Sequence, residues 1–443
     1  MTDYDLLSDL IAAARRAGAD AADALLVESA AVSVAQRLGR PEKLEREESR
    51  DLGLRVFIGR RQAVVSTTDL GRQALEDLVQ RALAMARTVP EDPYCGLADP
   101  SELAGNPPSL DISDPLEPSP ELLAERAKTA EDAARSVPGI TNSEGGEASW
   151  SRSCAWLAAS NGFSGSYSVT RHSVSASVLA GSGSAMERDY DFSTAVHGAD
   201  LEDPAAIGRR AGERAVRRLN PRKAATMRAA VVFDPRVAGG MLGHLAGAIN
   251  GNAIARGTSF LKDRLGQPIF ARGVAVIDDP HRQRGLRSKP FDGEGVANRR
   301  RALIEDGMLT SWILDLRSAR QLGLASTGHA ARGTGGPPGP SATNLWLEPG
   351  PVTPAELVED VRTGLYVTEL IGFGVNGITG DYSRGAAGFW IENGEITHPV
   401  SEITVAGNLI EMFASLKPAS DLVFRTGVDA PTVRIEGMTI AGR

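Results

Sequence analysis

The run GFWIENGEI, residues 388–396, places two apolar stretches on either side of Asn393-Gly394, and this arrangement limits the fold more than any other feature of the chain. An Asn-Gly pair readily takes the positive φ angles of a two-residue turn, so its flanks fold back on each other as antiparallel strands. RALIEDGMLTSWIL (301–314) and PTVRIEGMTI (431–440) repeat the signal, with Asp306-Gly307 and Glu436-Gly437 at their centres. Only two helices are expected among these strands, near Asp315–Leu322 and Pro354–Thr363. Strands that outnumber helices and do not alternate with them argue against a doubly wound parallel sheet. The expected class is α+β, in two domains, with mainly antiparallel sheets, flanking helices and a β-rich C-terminal half.

Two domains also follow from length, since 443 residues exceed the roughly 250–300 at which one hydrophobic core stops growing. The first half opens on an amphipathic helix with Leu6, Leu7, Leu10 and Ile11 on one face, not on a signal peptide. Apolar segments at Ala24–Val27, Val32–Leu38, Leu52–Ile58 and Gln62–Thr67 read as an antiparallel meander. A helical stripe from Leu75 to Ala86 follows, with Asp69 as its expected cap. Residues 89–120 are rich in Pro, Asp and Gly and read as a surface linker. Ser119 and Pro120 open a second helix over about 121–136, residues 140–197 read as further strands, and a helix over about 204–219 ends before Pro221. The expected domains are therefore 1–222 and 223–443.

A net charge of −8 gives no global attraction to nucleic acid or to anionic membranes, and no run of ~18 apolar residues could span a bilayer. Two cysteines, Cys95 and Cys154, are too few for a disulfide framework and fit a reducing cytoplasm. GFGVNG (372–377) matches a dinucleotide fingerprint, but no helical periodicity follows it, so it is read as a chance match in a glycine-rich loop.

The six histidines are scattered and none is followed by Glu. His244 lies in GGMLGHLAGAING (239–251), and from Pro235 to Lys262 there is no Asp, Glu, Cys or second His. A hydrolytic zinc site needs three ligands and usually a carboxylate base, so this segment cannot supply one alone. His244 is read as a helix residue whose small neighbours permit another backbone to pack closely. RDYD (188–191) is read as a surface hydrogen-bond cluster at a strand exit. TGDYSR (379–384), set between glycines, is the best binding candidate, against a structural turn with an internal Asp–Arg pair.

In order along the chain, DPYCGLAD (92–99), SNGF (160–163), MERDYDFS (186–193), RLNPRKAAT (218–226), TSFLKDRLGQ (258–267), IDDP (277–280), FDGEG (291–295), STGHAARG (326–333), VTELIGFGVNGITGDYSRGAAGFWIENGEITHPVSEITVAGNL (367–409) and PTVRIEGMTIAG (431–442) occur together. This ordered set resembles, over nearly the whole chain, the TldD/PmbA family of metallopeptidases, or modulators of DNA gyrase, and within it the PmbA/TldE branch. The resemblance implies a cytoplasmic peptidase complex of paired TldD-type and TldE-type chains, which degrades unfolded or flexible peptides in an enclosed chamber and serves in peptide maturation and antitoxin removal. TldD-type chains carry an H-E-x-x-x-H helix and a downstream Cys for the catalytic metal, and TldE-type chains lack them. Here Leu245 follows His244, Ile249 stands five residues after it, and no Cys occurs beyond Cys154.

The resemblance therefore implies no catalytic residue, no metal ligand and no cofactor in this chain, with a zinc-type metal expected in a TldD-type partner. Its implied partners are that paralogue and unfolded peptides, with a homodimer when it is alone; nucleic acid and membrane are not expected. Extended peptide can be held by main-chain hydrogen bonds at a strand edge. Thr379, Gly380, Asp381, Tyr382, Ser383 and Arg384 are the expected contacts to substrate or partner. Two other readings remain: a stand-alone hydrolase whose metal is held by His244, His281 or His329 with Asp278 or Asp279, and a gyrase-modulating binding protein.

Overall fold

The computed structural model describes residues 2–442. Its first half contains α1 (Asp3–Arg16), β1 (Ala21–Arg37), β2 (Arg40–Ile58), β3 (Arg61–Thr67), α2 (Arg72–Thr88), α3 (Pro120–Arg135), β4 (Ile140–Ala159), β5 (Ser164–Ala180), β6 (Glu187–Ala195) and α4 (Pro204–Arg217). Thr2 and Asp5 cap α1 reciprocally, and its Leu7, Leu10, Ile11 and Ala14 are buried. The six strands form one sheet in the order β3-β2-β1-β4-β5-β6, with every pairing antiparallel.

Three details differ from the sequence reading. The two segments at Ala24–Val27 and Val32–Leu38 belong to one strand, and β2 begins at Arg40 rather than Leu52. Residues 40–50 lack apolar alternation because they are exposed on both faces; they are held by register with β1, which β4 anchors on its other side. Asp69 does not cap α2. The cap is Gly71, whose N–H donates to Asp69 Oδ1 at 2.8 Å.

Period-two alternation divides the sheet between two neighbours. Ala22, Ala24, Leu26, Leu52, Leu54 and Val56 lie under α1 and α2, while Val174, Ala176 and Val178 lie under α3 and α4. The opposite face meets the second half, where Leu25 packs with Leu157, Phe163 and Phe291. Beside them Asp23 accepts hydrogen bonds from Arg55 Nε at 2.9 Å and from Arg332 Nη1 at 2.6 Å. Arg55 Nη1 lies 3.6 Å from Glu294 Oε1, and all four side chains are buried.

The second half contains β7 (Met227–Phe233), α5 (Pro235–Ala248), α6 (Gly251–Ala255), β8 (Val276–Asp279), β9 (Arg301–Glu305), β10 (Met308–Leu309), α7 (Leu316–Leu322), β11 (Ala330–Ala331), β12 (Gly339–Pro340), β13 (Asn344–Leu347), α8 (Pro354–Glu359), β14 (Thr363–Ile371), β15 (Asp381–Glu392), β16 (Glu395–Asn408), α9 (Leu409–Ser415), β17 (Lys417–Pro418), β18 (Val428–Asp429) and β19 (Val433–Ala441). One sheet runs β16-β15-β14-β7-β19-β17, and β16 also pairs with β19 through Thr404–Ala441, Val405–Ile440 and Ala406–Thr439. Five strands thereby close into a ring. A second sheet runs β10-β9-β8-β13-β18. Met241, Leu242, Leu245 and Ala248 of α5 share one core with Val231, Phe233 and Val367 of the ring and with Val276, Leu303 and Leu345 of the second sheet.

Asn393-Gly394 and Asp306-Gly307 form the expected turns, all four residues having positive φ. Glu436-Gly437 does not. It is a bulge inside β19, with Gly437 at φ 69°, because β7 lies alongside the strand both before and after it. No helix among the described residues is long and apolar enough to cross a membrane.

Candidate functional site

Helix α5 starts where Asp234 accepts a hydrogen bond from the Arg236 N–H at 3.0 Å, with Pro235 in its first turn. Its apolar residues face the core, which leaves His244 half-buried at the edge of that face. The imidazole meets the Tyr382 ring edge to face, with centroids 5.8 Å apart. No hydrogen bond or ion pair to His244 occurs among the described residues. Burial, reinforced by the Arg384 charge, holds its pKa below the ordinary value, so the ring is neutral near pH 7. Leu245 and Ile249 are fully buried. One neutral imidazole followed by core side chains does not fit a zinc site, which needs three convergent ligands.

The dispersed ligand set does not assemble either. His329 Nε2 lies 3.1 Å from Asp278 Oδ1, and its Nδ1 lies 2.8 Å from Thr327 Oγ1. Asp278 Oδ2 accepts from the Thr343 N–H at 2.6 Å. His281 bonds Asn298 at 2.7 Å, and no group of three metal-ligating side chains converges among the described residues.

Three of the four glycines of α5 do not serve close packing within this chain, contrary to the sequence reading. A methyl group built on Gly240, Gly243 or Gly247 meets nothing within 4 Å, because this side of the helix faces out; only Gly239 is crowded, 2.7 Å from the Val428 carbonyl. Gly208 in α4 shows the opposite case, where an added Cβ would lie 2.0 Å from the Ala130 carbonyl of α3. Two substitutions of the same kind should then have opposite signs. Gly243→Ala is expected to raise stability by about 1 kcal/mol through helix propensity. Gly208→Ala is expected to lower it by about 1–3 kcal/mol through overpacking. Urea midpoints of both variants measure this, and equal signs would refute the packing assignment.

The six residues 379–384 do not form one surface. Thr379 Oγ1 donates to Asp381 Oδ2 at 2.6 Å, and Asn408 Nδ2 donates to Asp381 Oδ1 at 3.2 Å. Gly380 holds the turn at φ 81°, and Ser383 is exposed. Asp381 to Arg384 lie in strand β15, so Asp381 points away from the face shared by Tyr382 and Arg384, and the internal Asp–Arg pair does not form. Tyr382 is 1 % exposed and belongs to the core, which removes its side chain from any surface contact. Of the six, Arg384 lines a cleft.

That cleft, of about 350 Å³, is bounded by Arg188 and Tyr190 of β6, Arg236 and Gly240 of α5, Thr368 of β14 and Arg384 of β15. RDYD is thus a surface cluster only in part: Arg188 and Tyr190 are exposed, with Arg188 bonded to Glu144 and Ser177, while both aspartates are buried. β6 turns Asp189 and Asp191 inward, where Arg236 reaches Asp189 at 2.8 Å and Arg210 and Arg214 reach Asp191 at 2.6 and 2.9 Å. Burial would raise the Asp191 pKa, but these guanidinia and Arg425 outweigh it and hold it low. Arg188 and Tyr190 point the other way and are exposed, and Arg188, Asp189 and Tyr190 all border the cleft. A second cleft of about 710 Å³ adjoins it, sharing Tyr190, Arg236 and Gly240, and continues past Phe192, Tyr366 and Val423. Period two along 187–195 was the available signal for this division, and the charges masked it.

Three stretches match the domains of one family: residues 22–86 the PmbA/TldA metallopeptidase domain 1, residues 113–219 its central domain and residues 226–442 its C-terminal domain. The chain is 42% identical to the Metalloprotease PmbA of Escherichia coli O157:H7 over 96% of its length and 93% of that protein. It is 35% identical to the Metalloprotease PmbA homolog of Haemophilus influenzae, over 97% of its length and 94% of that protein. Among solved structures it is similar to a candidate modulator of DNA gyrase from Bacteroides thetaiotaomicron, with a TM-score of 0.91, 30% identity and full coverage of both chains. TldE from Thermococcus kodakarensis shares the fold, with a TM-score of 0.88 at 20% identity over 99% of this chain and 100% of that one.

Proposed function

Since this chain belongs to the PmbA/TldD metallopeptidase family, we propose that it is the non-metal subunit of a two-chain peptidase, the metal and its ligands coming from a TldD-type partner. One observation carries this reading: on α5, where a metal-binding paralogue would place its second and third functional side chains, Leu245 and Ile249 are buried in the core, and His244 rests neutral against Tyr382. The chain's part is to hold substrate. The two adjoining clefts beside α5 share Tyr190, Arg236 and Gly240; arginines line both, and Tyr190, Phe192 and Tyr366 add aromatic surface, which suits an extended, unfolded peptide and not a folded domain. The reading places the complex in the cytoplasm.

The test is reconstitution. Purified alone, the chain is expected to leave an unstructured peptide intact; mixed with a paralogue bearing an H-E-x-x-x-H helix, it should support cleavage that a chelator abolishes. Chelator-sensitive cleavage by the chain alone would overturn the assignment.

A further inference from the structure

RDYD and TGDYSR are separated by nearly 200 residues, yet both contribute an arginine to the smaller cleft. The arginines there are not equivalent. Arg188 pairs with Glu144 at 3.2 Å, Arg218 with Glu187 at 3.4 Å and Arg236 with Asp189 at 2.8 Å. Arg384 has no ion pair among the described residues, and its buried Nε has no hydrogen-bond acceptor. Thr368 provides a second unmatched donor. It is the extra residue of a bulge in β14, where Val367 lies opposite Gly388 and Glu369 opposite Ala387. Bulges re-aim a side chain out of the ladder. Thr368 borders the cleft and is only 8 % exposed, and its buried hydroxyl too has no partner.

Leaving buried donors unpaired is unfavourable, about 1–3 kcal/mol each, and an oxyanion would satisfy both with charge-assisted bonds. The other three arginines of the cleft are already matched, Arg188 by Glu144, Arg218 by Glu187, Asp189 and Glu369, and Arg236 by Asp189 and Asp234, so Arg384 is the positive charge left for an anion. We propose that Arg384 and Thr368 form a carboxylate-binding site, and that its ligand is the C-terminal carboxylate of a peptide lying in the two clefts. The adjoining cleft takes the residues that precede the terminus. The choice of a peptide rests on the substrate-holding role proposed above; the anion site rests only on the geometry. Inorganic phosphate offers the same chemistry and is the rival source.

Binding of the full-length chain alone decides this, read by fluorescence anisotropy with a labelled, unstructured pentapeptide carrying either a free C-terminus or a C-terminal amide. The free acid is expected to bind at least about tenfold tighter, the worth of one charge-assisted hydrogen bond. Arg384→Gln should bring the acid down to the amide's affinity and leave the amide unchanged, Arg384→Lys should restore part of the preference, and Thr368→Val should weaken it. Unchanged melting temperatures exclude a folding defect, and Glu392→Gln, exposed at the far end of β15, should bind as the parent does. Equal binding of acid and amide, or a preference that survives Arg384→Gln, overturns the site. Phosphate that binds where neither peptide does overturns the peptide assignment. If the reconstituted complex fails to cleave while the acid preference stands, the subunit role falls and the carboxylate site remains.

Discussion

Asp23→Ala is expected to lower stability by about 3–5 kcal/mol, the range for stranding buried partners of an ion pair. The carboxylate is 2 % exposed and serves two guanidinia at once, Arg55 from the neighbouring strand and Arg332 from the other half of the chain. Burial opposes ionisation of Asp23, yet Arg332 and Arg55 outweigh it and hold its pKa low. Without it, only Glu294 remains to answer two buried positive charges, and its contact with Arg55 is longer at 3.6 Å. Because Arg332 crosses between the halves, the loss should also weaken their attachment. Chemical denaturation followed separately by Trp150 in the first half and Trp346 in the second would then show divergent midpoints, using single-tryptophan chains. A loss below about 1 kcal/mol would mean that the cluster is solvated and the buried geometry wrong.

The second large effect is on pH dependence. Burial raises Glu294 to about 7 against the pull of Arg55, and it raises Asp292 to about 6 against the backbone N–H groups of Glu294 and Val296. In the folded chain these carboxyls hold protons that the unfolded chain has already released. Their contribution to stability is therefore complete below pH 4.5 for Glu294 and below 3.8 for Asp292, and it is lost as pH rises through about 7 and about 6. Asp23, with its lowered value, works in the other direction and is lost as pH falls below 3.8. Stability should peak near pH 4 and fall by roughly 2–3 kcal/mol between pH 5.5 and 8. Glu294→Gln should flatten that decline, whatever its effect on absolute stability. Melting temperatures at pH 5.5 and 8 for parent and variant measure the slope, and an unchanged slope in the variant would remove Glu294 as its source.

Residues whose environment is set by near neighbours in sequence were legible. The apolar stripe of α1, Ser119 capping α3 with Pro120 behind it, and the Asn393-Gly394 turn all appear as read. Residues whose environment is set by distant segments were not. The charged stretch 40–50 looks like a loop until β1 is placed beside it. Glu436-Gly437 is a turn or a bulge depending on whether β7 continues past it. Asp189 and Asp191 look solvated because four of the arginines that bury them come from α4, α5 and residue 425. The candidate site divides in the same way. Arg384 was found through its glycine-rich setting, whereas Thr368 carries no local signal, since a bulge is a mismatch between two strands.

The ring of β7, β14, β15, β16 and β19 also bears on how the chain is made. Met227 ends up beside Ile440, so closure brings together segments roughly half the chain apart, and the strand that completes the circle is the last of the five to be synthesised. Until it arrives, β7 and β16 each expose an unpaired edge of backbone donors and acceptors, the kind of surface that recruits other strands. The slow, vulnerable phase of this protein's life is thus its birth: a nascent second half waits open for β19, and crowding or a stalled ribosome in that interval favours aggregation over assembly.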